Sequence, residues 1–249
     1  MSRASTARFF FRKMIVRDWQ GIVFDLDDTL YPERDYVLSG FKAVASWGEA
    51  SLEVPSLHGF SVLRRLFYEQ VRGNTFQLWL EELGVPDTDG LVTHLVEIYR
   101  NHDPILVPFP EVPGILRELG SRYRLGLLSD GYLGVQQRKL AALSLGGYFH
   151  GIVFSDSWGR ENWKPSQRPF KEIANLLSLE PSRIVYVADN PLKDFLGARE
   201  SGMFTVRLRR QDSEYGHLDP PSEQHAPHIT ISSLEMLPGL LLPGTVKIT

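Results

Sequence analysis

A short apolar run, Gly21-Ile22-Val23-Phe24, passes straight into a carboxylate-dense stretch, Asp25 to Thr29, before Tyr31-Pro32 breaks the chain. A run of this length bounded by turn residues is the pattern of a buried strand. From about Asp35 to His102 the period changes. Apolar residues recur at three and four in Val37, Phe41, Val44; in Leu63, Leu66, Phe67, Val71; and in Leu91, Leu95, Ile98. Pro55, Gly73, Gly84 and Pro86 punctuate this stretch, so the spacing predicts a block of about four helices with no strong strand. From Pro104 the rhythm becomes strand, loop, helix. The predicted strands are Arg124–Leu128, Gly151–Phe154, Ile184–Val187, Thr205–Leu208 and His228–Ile231. The predicted helices are Val112–Leu119, Leu133–Leu143, Pro169–Leu177, Leu192–Ser201 and Ser233–Leu241, the last opened by a capping box of Ser232 and Glu235.

Short apolar strands alternating with amphipathic helices predict an α/β fold, a Rossmann-like parallel sheet with helices on both faces. The helical block is then an insertion between the first and second strands. This gives an α-helical cap of residues 32–103 on a discontinuous core of residues 1–31 and 104–249. Trp47, Phe67 and Tyr68 read as core of that cap.

Composition narrows the function. Over 249 residues, 43% are hydrophobic, which is ordinary for a globular chain and too many for a disordered one. Lys and Arg total 27 against 30 Asp and Glu, so a net charge of -3 offers no field for nucleic acid. The absence of cysteine excludes disulfides, thiolate nucleophiles and Cys-ligated zinc, and is compatible with the cytoplasm, the expected location. No apolar run approaches the roughly 20 residues that span a membrane. Arg3, Arg8, Arg12, Lys13 and Arg17 make the amino end basic, and are read as a flap before the first strand rather than a targeting segment. His217, His225 and His228 lack the spacing of a metal site, and His94 and His102 are expected on the surface of the helical block.

Three predicted strands end in residues odd for a strand terminus: Asp25-Leu26-Asp27-Asp28-Thr29, Ser129-Asp130-Gly131, and Asp189-Asn190 with Asp194 beyond. Open parallel sheets bind ligands beyond the carboxyl ends of their strands, so these loops should converge. Packed carboxylates repel unless a cation sits between them, and hard oxygen ligands suit Mg²⁺. Phe24-Asp25-Leu26-Asp27-Asp28-Thr29-Leu30 resembles the first motif of the haloacid dehalogenase-like (HAD) superfamily. Leu127-Leu128-Ser129-Asp130-Gly131 resembles the second, and Lys164-Pro165-Ser166 ahead of Pro169-Phe170 the third. Val187-Ala188-Asp189-Asn190-Pro191-Leu192-Lys193-Asp194 resembles the fourth, with Ala188 where Gly is usual. The motifs occur in family order from about Gly21 to Leu240.

That resemblance implies a Mg²⁺-dependent phosphatase acting through an aspartyl-phosphate. Asp25 would be the nucleophile and Asp27 the general acid and base. Ser129, Asp130, Gly131 and Lys164 would hold the phosphate. The metal would be held by the Asp25 carboxylate, the Asp27 backbone carbonyl and Asp189, with Asp194, Asn190 and Thr29 supporting them. Asp28 reads as a solvated or capping side chain. The expected substrate is a small phosphorylated metabolite of sugar-phosphate or nucleotide type, contacted from the cap by some of Arg34, Lys42, Arg64 and Arg65. Phosphotransferase or phosphomutase chemistry is the alternative, ahead of a 2-haloacid dehalogenase, which resembles a pattern with Tyr at the place of Asp27, and ahead of a non-catalytic binding module. The sequence leaves the oligomeric state open.

Overall fold

The structure, a computed structural model, describes residues 18–88 and 90–242. The basic residues from Arg3 to Arg17 lie outside the described residues. Six strands form one parallel sheet: β1 (Gly21–Phe24), β2 (Arg124–Ser129), β3 (Gly151–Phe154), β4 (Ile184–Ala188), β5 (Phe204–Leu208) and β6 (Ile229–Ile231). Their spatial order is β3-β2-β1-β4-β5-β6. β1 lies at the centre, with Phe24 in register with Leu127 on one side and Val187 on the other. A central strand covered on both faces must be apolar throughout, and Ile22, Val23 and Phe24 are all fully buried. The chain runs outward from β1 first through β2 and β3, then through β4, β5 and β6. The carboxyl ends of β1 and β4 therefore flank the point where the order reverses, the crevice in which such sheets take their ligands.

The block between β1 and β2 consists of α1 (Glu33–Leu52), α2 (Ser56–Tyr68), α3 (Thr75–Glu82) and α4 (Leu91–Asn101). It has a core of its own, built on Phe41, Val44, Leu63, Leu66, Trp79 and Leu95. Trp79 fills its centre, and its indole Nε1 donates to the Gly59 carbonyl at 2.8 Å. Trp47 and Phe67 pack on this core, whereas Tyr68 is 61% exposed and belongs to the surface. His94 is exposed as expected. His102 is not, because its ring packs 5.0 Å from Tyr36 and its Nδ1 lies 2.6 Å from the Tyr99 carbonyl.

The remaining helices cover the sheet: α5 (Val112–Gly120), α6 (Leu133–Leu143), α7 (Arg168–Leu177), α8 (Asp194–Glu200) and α9 (Leu237–Leu240). Strand side chains alternate between two cores. Ile22, Phe24, Leu127 and Val187 meet α5, α6 and α9, while Val23, Leu128 and Tyr186 meet α7 and α8. Two predicted helix starts are displaced. α8 begins at Asp194 rather than Leu192, because Asn190 and Pro191 form a turn in which the Asn190 side chain accepts the Leu192 N–H at 2.9 Å. The final helix is capped by Ser233, not Ser232, since Ser233 Oγ accepts the Glu235 N–H at 3.2 Å. It opens as a 3₁₀ turn and is α-helical only from Leu237. No helix among the described residues is long and apolar enough to cross a membrane.

Candidate active site

The chain leaves β1 at Asp25, whose N–H still donates to the Val187 carbonyl at 2.9 Å. That bond fixes the Asp25 carboxylate over the crevice, where it is 3% exposed. Asp189, at the end of β4, and Asp194, in the first turn of α8, approach it. One carboxylate oxygen from each of the three lies within 4.8 Å of the others. Lys164 comes from the loop ahead of α7. Its Nζ donates to Asp25 Oδ1 at 2.7 Å, to Asp194 Oδ1 at 2.6 Å and to the Tyr186 hydroxyl at 3.0 Å. Close packing of α8 on this loop requires Gly197, where a Cβ would lie 2.2 Å from the Pro165 carbonyl oxygen.

Charge in this cluster is poorly compensated. Burial pushes the Asp25 carboxyl up to about 6; Lys164 opposes the shift and Asp194 adds to it. Burial, then Asp194 and Asp25, raise Asp189 well above the usual carboxylate range. The Lys164 ammonium, although buried, is held charged by Asp194 and Asp25. Asp194 has both oxygens engaged, Oδ1 by Lys164 and Tyr186 and Oδ2 by the Asn190 N–H at 2.9 Å. Asp189 Oδ2 is buried and has no hydrogen-bond partner. A buried carboxylate oxygen without a donor, beside two more carboxylates, is what a hard divalent cation would satisfy. The residues present therefore fit a metal.

Asp27 lies beside this cluster without joining it. Its Oδ1 accepts from Lys139 Nζ at 2.7 Å and from the Tyr31 hydroxyl. Lys139 is 3% exposed, and the Tyr36 ring lies 4.5 Å from its ammonium. Burial alone would raise the Asp27 carboxyl, but attraction and hydrogen bonding from Lys139 and Tyr31 hold it below the usual range. Asp28 is a buried cap, not a solvated side chain. Its Oδ1 accepts the Glu33 N–H and its Oδ2 the Glu214 N–H, each at 2.9 Å. Thr29 is fully buried and its hydroxyl has no hydrogen-bond partner.

At the end of β2, Ser129 Oγ donates to Gln136 Oε1 at 3.0 Å. The Asp130 carboxylate is turned into the scaffold. It accepts from Ser155 Oγ at 2.5 Å and from the Lys164 N–H at 3.1 Å, with Lys193 Nζ at 3.7 Å. Its side chain therefore positions the Lys164 loop. Gly131 has φ +128°, and a Cβ there would lie 2.4 Å from the Gln136 amide nitrogen. The structure thus groups Asp25, Lys164, Asp189 and Asp194 directly, and sets Ser129 at the end of β2 and Asp27, Gly131, Asn190 and Thr29 in the loops around them.

Several site residues carried little signal in the sequence. Lys139 and Gln136 occupy the buried face of α6 with Val135, Leu140 and Leu143. Two polar residues on an apolar helix stripe were the available sign. Tyr186 reads as an ordinary strand aromatic. Of the expected cap residues, Arg65 is exposed and paired with Glu69 at 2.8 Å and with Glu82, and Lys42 lies over the Phe60 ring. The helical block instead reaches the sheet domain through Arg72, 2.8 Å from Glu214, and Arg100, 4.0 Å from the Tyr132 ring.

The sequence pattern that defines the haloacid dehalogenase-like hydrolases matches residues 22–208. A glyceraldehyde 3-phosphate phosphatase of Methanopyrus kandleri is 34% identical, over 85% of this chain and 92% of that protein. The pyrimidine 5'-nucleotidase YjjG of Escherichia coli is 23% identical, over 90% of this chain and 98% of its own. Among solved structures, a 2-haloacid dehalogenase from Pseudomonas syringae superposes with a TM-score of 0.62 at 24% identity, covering 90% of this chain and 98% of the other.

Proposed function

The chain belongs to the haloacid dehalogenase-like hydrolases, and on that footing we propose that it is a Mg²⁺-dependent phosphatase of small phosphorylated metabolites, with Asp25 as the nucleophile. The observation that carries this reading is the convergence of Asp25, Lys164 and the unpartnered Asp189 Oδ2 at the switch point of the sheet. Asp25 and Asp189, with the Asp27 backbone carbonyl, would hold the metal, and Asp194 would orient Lys164. Mg²⁺ would supply the positive charge that lets a phosphate dianion approach an anionic nucleophile.

The Asp25 carboxylate oxygen attacks phosphorus, the bond to the leaving oxygen breaks, and an aspartyl-phosphate forms. Asp27 gives the leaving oxygen its proton, then removes a proton from the water that attacks the same phosphorus and frees phosphate. Lys139 and Tyr31 both bind Oδ1 of Asp27, which leaves Oδ2 for proton exchange. Their hold favours the anion, the form the second step requires. Lys164 neutralises charge on the transferring group. Residues 32–103 would act as a cap over the leaving group.

Two relatives support the substrate class through their names, which specify phosphorylated small molecules. A dehalogenase reading is disfavoured by Asp27, because displacing halide from carbon needs no acid there. The test is phosphate release from an aryl phosphate with Mg²⁺ and with a chelator. Loss of activity in chelator is expected, and equal rates would remove the metal from the proposal.

A further inference from the structure

Arg207 lies within β5, between Val206 and Leu208, and is 2% exposed. Val206 and Leu208 enter the core under α5, α6 and α9, so alternation along the strand sends Arg207 to the opposite face. There it stands in register with Ala188, the last residue of β4 before Asp189. A guanidinium is costly to bury, and a strand interior between apolar neighbours has no general use for one. Among the described residues its hydrogen bonds go to two backbone carbonyls. Nε donates to Asp189 at 3.1 Å and Nη2 donates to Tyr215 at 2.9 Å.

The first contact falls on a peptide unit that is held at both ends. Its carbonyl is that of Asp189, and its N–H is that of Asn190, which donates to Asp194 Oδ2 at 2.9 Å. The Asp194 N–H returns to the Asn190 carbonyl at 3.1 Å. Fixing this plane fixes the backbone that follows Asp189, and with it the direction in which the side chain leaves. The carboxylate lacks such a hold of its own, because Oδ2 is buried without a hydrogen-bond partner. Metal ligands are commonly oriented by hydrogen bonds to their own polar heads. At Asp189 the orientation comes from the backbone. The second contact carries the hold to the other side of the cluster. Tyr215 follows Glu214, whose N–H donates to Asp28 Oδ2 at 2.9 Å, and Asp28 follows Asp27. Arg209 Nε donates to the Gly216 carbonyl at 2.7 Å and keeps the same loop against the end of β5. One guanidinium thus ties the turn that carries Asp189 to the loop that braces Asp27 and Asp28. Its donors lie on fixed vectors and can span two carbonyls, which a compact ammonium on a flexible stem cannot do in one geometry.

We propose that Arg207 is a positioning residue for the metal: it aims the Asp189 carboxylate by clamping the Asp189–Asn190 peptide to the Tyr215 loop. The proposal rests on the metal-dependent phosphatase reading above, and Arg207 acts in it only through Asp189.

The experiment measures Mg²⁺ binding to the full chain by calorimetry without substrate, together with the Tm in chelator, for wild type, Arg207→Met and Arg207→Lys. Met keeps an apolar stem and donates nothing, so the Kd for Mg²⁺ should rise about 10–100-fold, the usual effect of losing a group that orients a metal ligand. Lys keeps the charge but loses the fork, and should weaken binding in the same direction. At saturating Mg²⁺ both variants should show the wild-type KM for an aryl phosphate. An unchanged Kd in Arg207→Met, whether with a lower Tm or a higher KM, would overturn the proposal, because the side chain would then support the fold or the substrate and not the metal ligand. A wild-type Kd in Arg207→Lys would show an effect of charge rather than position and would also overturn it. That variant decides the matter if Arg207→Met does not fold. Wild-type protein that binds no Mg²⁺ would remove the metal reading and this proposal with it, whereas equal binding by wild type and both variants would remove this proposal alone.

Discussion

Consider Asp25→Asn in protein freed of metal. The Asp25 carboxyl is displaced from 3.8 to about 6, with burial opposing its charge, Lys164 favouring it and Asp194 opposing it again. Because the folded value lies above the unfolded one, the unfolded chain releases this proton first as pH rises. Stability from this group is present below about pH 4, is lost up to about pH 6 and stays lost above. A displacement of about 2 units corresponds to about 3 kcal/mol at neutral pH. Asn keeps the shape of the side chain and removes the charge, while Lys164 keeps Asp194 and Tyr186 as partners. The variant should then be more stable than wild type by about 1–3 kcal/mol at about pH 7.5, or several degrees in Tm, and equal to it near pH 4. Thermal unfolding in chelator at the two pH values measures this. Added Mg²⁺ should raise the Tm of wild type and leave the inactive variant almost unmoved. A variant less stable than wild type at neutral pH without metal would refute the reasoning, because the ion pair with Lys164 would then outweigh the cost of burying the charge and the repulsion from Asp194.

Asp27→Asn should slow turnover by about 10²–10⁴, and an aryl phosphate with a good leaving group should restore much of the first step in a burst assay. Lys139→Met removes the charge that holds Asp27 low, so the acidic limb of the pH–rate profile should move to higher pH; an unmoved limb would show that Asp27 is not the titrating base. Asp28→Asn replaces an acceptor facing the Glu214 N–H with an amide or leaves that donor unpaired, and should cost about 1–3 kcal/mol in denaturant unfolding without preventing phosphoenzyme formation.

The strands were legible because a sheet covered on both faces demands uninterrupted apolar runs, and Gly21–Phe24 and Gly151–Phe154 match their predicted bounds. The meeting of Asp25, Lys164 and Asp189 could be expected because each follows a strand or precedes a helix in a parallel sheet, where topology sends such loops to one edge. Contacts made across the fold were not legible. Lys139 reaches Asp27 across 112 positions, and only the rotation of α6 decides which of its polar residues faces inward. Asp130 lay in a motif that implied phosphate contact through backbone amides; the part its carboxylate plays in holding the Lys164 loop is set by tertiary packing and had no sign in the sequence. The contacts between the helical block and the sheet domain were not legible for the same reason. Charge in the sequence marks Arg64 and Arg65, but the ion pair and ring contact to the sheet domain are made by Arg72, between α2 and α3, and by Arg100 on α4.

The central claim is that phosphorus passes through the Asp25 carboxylate. It is tested most directly by mixing the protein and Mg²⁺ with a radiolabelled phosphate ester, quenching in acid within one turnover, and mapping the label by borohydride reduction and peptide mass spectrometry. The account predicts an acid-stable, base-labile label whose reduction converts residue 25, and no other aspartate, to homoserine. Phosphate released at full rate with no label on the protein, or with the label on another residue, would contradict it.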